Sequence, residues 1–235
     1  MSSSYAYSPH LGPVVPVIDW SPRTPHVLAM QLISPGMMLP GSDYELTTLE
    51  ASHRWAAMIA VGEMIPDGSK QAVTVDHLAD GVASMGFDFS GFPREFVCDP
   101  AGAAVEAGAG ESAITIFQRR TGLVARYSTA PAERSIANGI DCVRRMLEPM
   151  DGTPRFYVSS EVARRAKRLP KHLRGRSVVN ALPGYSYDEP KDGRPVNQLP
   201  IKDGVTDHAC DCVRYAVVAY FPSARTMPGS MRRQM

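Results

Sequence analysis

Two short strands that each end in an aspartate constrain this chain most. Val14 to Ile18 (VVPVI) is a continuous apolar run that delivers Asp19, and Glu95 to Cys98 (EFVC) delivers Asp99. Runs of this length and character read as strands buried in a sheet, which places both carboxylates at the end of a buried sheet, where they can converge. A third acidic group opens the last helical stretch, Thr206-Asp207-His208-Ala209-Cys210-Asp211-Cys212-Val213-Arg214-Tyr215. There His208 and Asp211 are three residues apart and share one helix face. Carboxylates gathered in one place repel each other unless a cation lies between them, and hard oxygen donors suit Mg²⁺ or Mn²⁺. Taken singly, each aspartate reads as a cap or turn residue, and Asp207 is a good N-cap.

The rest of the chain supplies the frame. His26 to Ile33 and Trp55 to Ile65 read as strands, the latter closed by the Pro66-Asp67-Gly68 turn. Thr74 to Met85 reads as a helix with Thr74 as N-cap and Gly86 just past its end. Glu111 to Arg120 is expected as a helix stopped by Gly122, and Leu123 to Tyr127 as a strand. Ala132 to Leu147 is expected as one long helix with Ile136, Ile140, Val143 and Leu147 on one face. Arg155 to Val158 reads as a strand, Ser160 to Arg168 as a basic helix, Pro183 to Gly204 as a long loop, and Asp207 to Phe221 as the last helix. Three strands with little helix between them, then strands alternating with helices, predict an α/β fold: a mixed β-sheet flanked by helices on both faces.

Composition excludes some classes. With 44% hydrophobic and 21% charged residues the chain can build a real core. No run of about 18 apolar residues exists, so no membrane span is expected. Met1 to Pro13 lacks both a basic and an apolar region, so no signal peptide is expected. It reads as a flexible arm, with one domain over 14–222 and a loose basic tail over 223–235. The four cysteines lack paired spacing and read as reduced thiols. Cys210, Cys212 and His208 stand too close along one helix to aim at a single zinc ion. Net charge is only +1, yet Arg164, Arg165, Lys167, Arg168, Lys171, Arg174 and Arg176 crowd one segment without an acid. Such a run either neutralises phosphates or is a solvated face. The chain has no GxSxG elbow and no GxxxxGK[ST] loop, so neither serine hydrolysis nor ATP hydrolysis is assigned to it.

The order of these motifs resembles a known family. Phe96-Val97-Cys98-Asp99-Pro100-Ala101-Gly102 resembles the "DPAG" strand end of viral large terminase nuclease domains, and Asp207 to Ala216 resembles their closing "DHxxDAxRYA" helix, with Cys212 in place of the alanine. Val14 to Trp20 resembles their opening strand, although Trp20-Ser21 stands where a Phe-Gly pair is usual. Asp151-Gly152-Thr153-Pro154-Arg155 after a helix, and Gly184-Tyr185-Ser186-Tyr187 before the final loop, also resemble family segments.

The resemblance implies a ribonuclease H-like fold and a metal-dependent endonuclease that cuts concatemeric double-stranded viral DNA during genome packaging. By position Asp19 and Asp99 would be metal ligands. The third would come from Asp207, His208 or Asp211, with Asp211 favoured and His208 beside it as a catalytic residue. Glu63 matches a position where such domains often carry Glu. Two Mg²⁺ or Mn²⁺ ions are expected, activating a water and stabilising the leaving 3′-oxygen. The basic run would hold the duplex backbone. A separate packaging ATPase, a small terminase subunit and a portal would be partners, and the cytoplasm of an infected host cell the location. The rival expectations are another nuclease on this fold, such as a junction resolvase, and a non-catalytic module that binds DNA or a packaging motor.

Overall fold

Side-chain alternation along the strands decides which way each element faces. The computed structural model describes residues 6–21, 23–39, 45–68, 71–105, 110–129, 131–186 and 199–222. In chain order the elements are β1 (Val14–Asp19), β2 (His26–Ile33), β3 (Ala57–Met64), α1 (Val75–Ser84), β4 (Glu95–Cys98), α2 (Ala113–Thr121) and β5 (Val124–Arg126). Then come α3 (Pro131–Arg134), α4 (Ile136–Leu147), β6 (Phe156–Val158), α5 (Ser160–Arg168), α6 (Lys171–Arg174), α7 (Val178–Gly184) and α8 (Asp207–Tyr220).

The strands form one six-stranded sheet in the order β5-β4-β1-β2-β3-β6. β1, β2 and β3 make an antiparallel meander, while β4 lies parallel to β1, β5 parallel to β4, and β6 parallel to β3. Every residue of β1 and β2 is buried, as expected for central strands covered on both faces. Val15 and Val17 of β1 point into a core shared with α4, α5, α7 and α8. Ile18 points the other way, into a core with α1 and α2. This is an α/β architecture with a mixed sheet flanked by helices on both faces, as the order of strands and helices in the sequence predicts. Among the described residues no helix is long and apolar enough to cross a membrane.

Several local expectations meet a tertiary reason to change. The single helix over Ala132–Leu147 is two, because Ser135 caps a fresh start at Ile136 by accepting from the amide of Asn138 at 3.4 Å. The buried stripe of α4 is Gly139, Cys142 and Met146, and Leu147 is exposed. Close contact with α8 selects this face: a Cβ on Gly139 would lie 2.5 Å from Cγ of Arg214. α6 and α7, unanticipated, follow α5. The arm expected at the N-terminus is held down over residues 7–13. Leu11 is buried, Tyr7 meets the edge of Phe87 at 5.0 Å, and the Gln31 amide donates to the carbonyls of Ser8 and Gly12. Part of the Pro183–Gly204 loop and the whole 223–235 tail lie outside the described residues.

Phe117 anchors the α1–α2 face. It lies 4.7 Å from Phe96 and 5.8 Å from Trp20, centroid to centroid. Phe117→Ala is expected to cost about 3–5 kcal/mol, read as a lower urea midpoint with an unchanged slope.

Candidate active site

The strand alternation that buries Val15 and Val17 under α8 sends Asp19 to the same side, and that which buries Val97 there does so for Asp99. β1 and β4 pair in parallel with Val17 opposite Val97 and Ile18 opposite Cys98, so one further step sets Asp19 beside Asp99. α8 crosses above them. Its Ala209, Cys212, Val213, Ala216 and Val217 are buried in the same core as those strands. On its flank, His208, Asp211 and Tyr215 recur at helical spacing, which brings them to one stripe.

The side chains interlock. His208 Nδ1 donates to Asp19 Oδ2 at 2.6 Å, and His208 Nε2 meets Thr24 Oγ1 at 2.8 Å. Tyr215 donates its hydroxyl proton to Asp99 Oδ2 at 2.8 Å, while Asp99 Oδ1 accepts the amide of Ala101 at 2.7 Å and so caps the short turn that follows. Asp211 Oδ1 accepts from Nε and Nη2 of Arg214 at 3.1 and 2.9 Å, and its Oδ2 from Lys202 at 3.4 Å. Gly102 closes the strand-end motif for a steric reason: a Cβ there would lie 2.2 Å from Nε1 of Trp20. Trp20 is thus matched to that glycine.

The electrostatics mark these groups as one cluster. Burial pushes the Asp19 carboxyl up, the His208 bond opposes it, and the charges of Asp211 and Asp99 push it further up. The bond to Asp19 raises the His208 imidazole against burial, which lowers it. Burial, followed by the charges of Asp211, Asp19 and Asp99, raises the Tyr215 phenol, so it keeps its proton and remains a donor.

The structure brings together Asp19, Asp99, Asp211 and His208 from the sequence candidates. Asp207 is not an N-cap. Thr206 occupies that position, and Asp203 bonds the amides of Val205 and Thr206 instead. Asp207 is buried with Oδ1 lacking a partner among the described residues. Glu63 serves elsewhere: it accepts from His26 Nε2 at 3.1 Å, Ser177 Oγ at 2.7 Å and the amide of Val178 at 2.6 Å, capping α7 from across the fold. Arg176 is no phosphate contact. It is buried and donates to the carbonyls of Pro66 and Pro25, a closed site that a backbone phosphate does not reach. Arg164, Arg165, Lys167, Arg168, Lys171 and Arg174 are exposed. Sequence reasoning assigned no role to Tyr215, Thr24, Lys202 or Arg214. Tyr215 was legible as the residue four beyond Asp211; Thr24 and Lys202 carry no local signal.

The donor set is all carboxylate and imidazole, and the charges of Asp211 and Asp99 add to the burial that raises Asp19, so by charge and chemistry it fits a hard divalent cation. As placed, no three His, Cys, Asp or Glu side chains among the described residues stand close enough to hold an ion. The like charges are instead spread onto separate protein partners, Asp19 onto His208 and Asp211 onto Arg214 and Lys202.

No family model matches the sequence, and no curated protein matches it. Among solved structures the chain is similar to the large terminase (g2p) nuclease domain of bacteriophage SPP1 with bound Mn. The identity is 12%, with 88% of this chain and 86% of that chain covered and a TM-score of 0.41.

Because His208 gains a partner on folding, its contribution to stability is fully present below its ordinary value of 6.5 and is lost as pH rises through the raised folded value. Asp19→Asn is expected to lower the His208 value, seen in a ring-proton NMR titration, and leave the other histidines where they are. An unmoved His208 would sever the pair.

Proposed function

We propose that this chain is a metal-dependent nuclease whose site is the edge where β1 and β4 end beneath α8. One observation carries the reading: Asp19 and Asp99 close adjacent parallel strands in matching register, and α8 sets His208, Asp211 and Tyr215 over them. Asp19 and Asp99 would hold the cation, with Asp211 next to them. When bound, a divalent cation supplies the charge that polarises a scissile phosphate and lowers the pKa of the attacking water; two ions are the expected number.

The chain's own groups prepare the site. Thr24 fixes the His208 ring, and His208 holds a proton at Nδ1 against Asp19, orienting that buried carboxylate. Tyr215 orients Asp99 in the same way. The exposed Lys202, beside Asp211, provides positive charge where a phosphate would approach, while Arg214 holds Asp211 in place. The finer reading, cutting of concatemeric double-stranded viral DNA during packaging, is supported by the strand-end DPAG and the DHxxDxxRYA helix. On that reading ATP hydrolysis falls to a packaging ATPase, and a small terminase subunit and a portal are the partners. A second reading, a non-catalytic DNA- or motor-binding module, is supported by the engagement of both Asp211 oxygens with Arg214 and Lys202.

Supercoiled plasmid with Mn²⁺ or Mg²⁺ separates them. The wild type is expected to cut, EDTA to abolish cutting, and Asp99→Ala to lower it by at least about 100-fold, beyond the loss of an outer-shell partner. Tyr215→Phe, which keeps the ring and loses the donor, is expected to lower it about 10- to 100-fold. DNA bound and left intact at every metal concentration would select the module.

A further inference from the structure

We propose that the DNA strand presented to this site is held in a cationic cleft on the β4–β5 side of α8, not by the Arg164–Arg176 run; the proposal rests on the nuclease reading. A cavity of about 570 Å³ opens there, and its wall carries Arg54, Arg126, Arg134, Lys202 and Arg214 against one carboxylate, Asp99. That carboxylate belongs to the site, so a strand lying in the cleft passes the reacting edge.

The cations come from five separate segments: the loop before β3, β5, α3, the loop before α8, and α8 itself. A charge set spread in this way suits a chain of phosphates better than one small anion. Two of the five are already neutralised inside the protein, Arg126 by Glu95 at 3.1 Å and Arg214 by Asp211 at 2.9 Å. Arg54 lies against the rings of Trp55 and Phe92, at 5.2 and 4.4 Å. Among the described residues Arg54 and Arg134 form no ion pair, and Lys202 has a 60% exposed side chain and a long 3.4 Å contact with Asp211. Arg54 and Arg134 are thus open to phosphates, and the exposed Lys202 can meet one while it shares Asp211.

Three cations of the rival run are already engaged within the protein, and its exposed Arg165, Lys167, Arg168 and Lys171 do not line the cleft that reaches Asp99. Arg164 pairs with Glu161 at 2.6 Å, Arg174 donates to the carbonyl of Leu169 at 2.8 Å, and Arg176 is buried on two carbonyls. Contacts that only hold the backbone carry affinity and salt dependence rather than sequence preference.

The test is binding of a fluorescein-labelled DNA duplex by anisotropy in EDTA across a salt series, where no cutting intervenes. Arg134→Ala with Lys202→Ala is expected to weaken binding about 10-fold or more and to reduce the slope of log affinity against log salt by about two. Arg164→Ala with Arg165→Ala is expected to change affinity by less than roughly twofold. Arg134→Lys with Lys202→Arg should retain binding, which excludes a folding defect. A cleft variant that binds as wild type, a larger loss in the α5 variant, full displacement of duplex by dAMP, or a wild type that binds no duplex would each overturn the proposal. Cutting by a wild type whose binding ignores the cleft variants would sink this inference alone. Cleft-dependent binding without cutting in Mn²⁺ would sink the nuclease reading alone.

Discussion

The close seating of α8 on β1, β2 and β4 is the constraint on which the site depends. Small side chains permit it: Ala209, Cys212 and Ala216 are wholly buried against the sheet. The Cys212 thiol reaches the carbonyls of Val17 and His26 at 3.7 and 3.5 Å, so the helix backbone rides directly over the strands that carry Asp19 and its cross-strand neighbour. Burial raises that thiol far above its usual value and leaves it an inert packing group. At this height the residues on the helix flank span the gap to the strand ends. A bulkier residue at 212 would lift His208 and Tyr215 away from their carboxylates together, because both ride on one rigid element.

A second rule shapes the surroundings. A charge taken out of water must find a partner or become neutral, and four buried charges here find theirs. Asp19 has His208, Asp211 has Arg214, Glu63 has His26, Ser177 and the start of α7, and Arg155 has Asp151 together with the carbonyl of Thr47. These pairs also join distant parts of the chain. Glu63 ties the end of β3 to α7, and Arg176 ties the segment before α7 to the turns at Pro25 and Pro66. The edge of the sheet that bears the site is thereby braced on its β2–β3 side by buried polar contacts, while its β4–β5 side opens into the cleft.

Local chemistry made much of this legible. α1 lies between Thr74, whose hydroxyl accepts the amide of His77, and Gly86 at φ 76°, just past its C-cap Met85; Ser112 and Gly122 delimit α2 in the same manner. Those signals act within a turn of the chain and need no tertiary partner. The bounds of α5 were legible too. The break at Ser135 was not, since a serine inside an apolar-periodic run looks like an exposed helix position until Gly139 must meet Arg214. Arg176 looked like the end of a basic run because sequence shows charge and hides burial.

The sequence by itself determined that Asp19 and Asp99 end buried strands and that His208, Asp211 and Tyr215 share a helical stripe, because periods of two and 3.6 residues follow from backbone geometry alone. Only the tertiary structure decided that the two strand ends stand side by side, that His208 serves Asp19 and Tyr215 serves Asp99, and that Asp211 is drawn to Arg214 and Lys202. Those choices compare desolvation with the nearest opposite charge, and the nearest opposite charge is set by how distant segments pack.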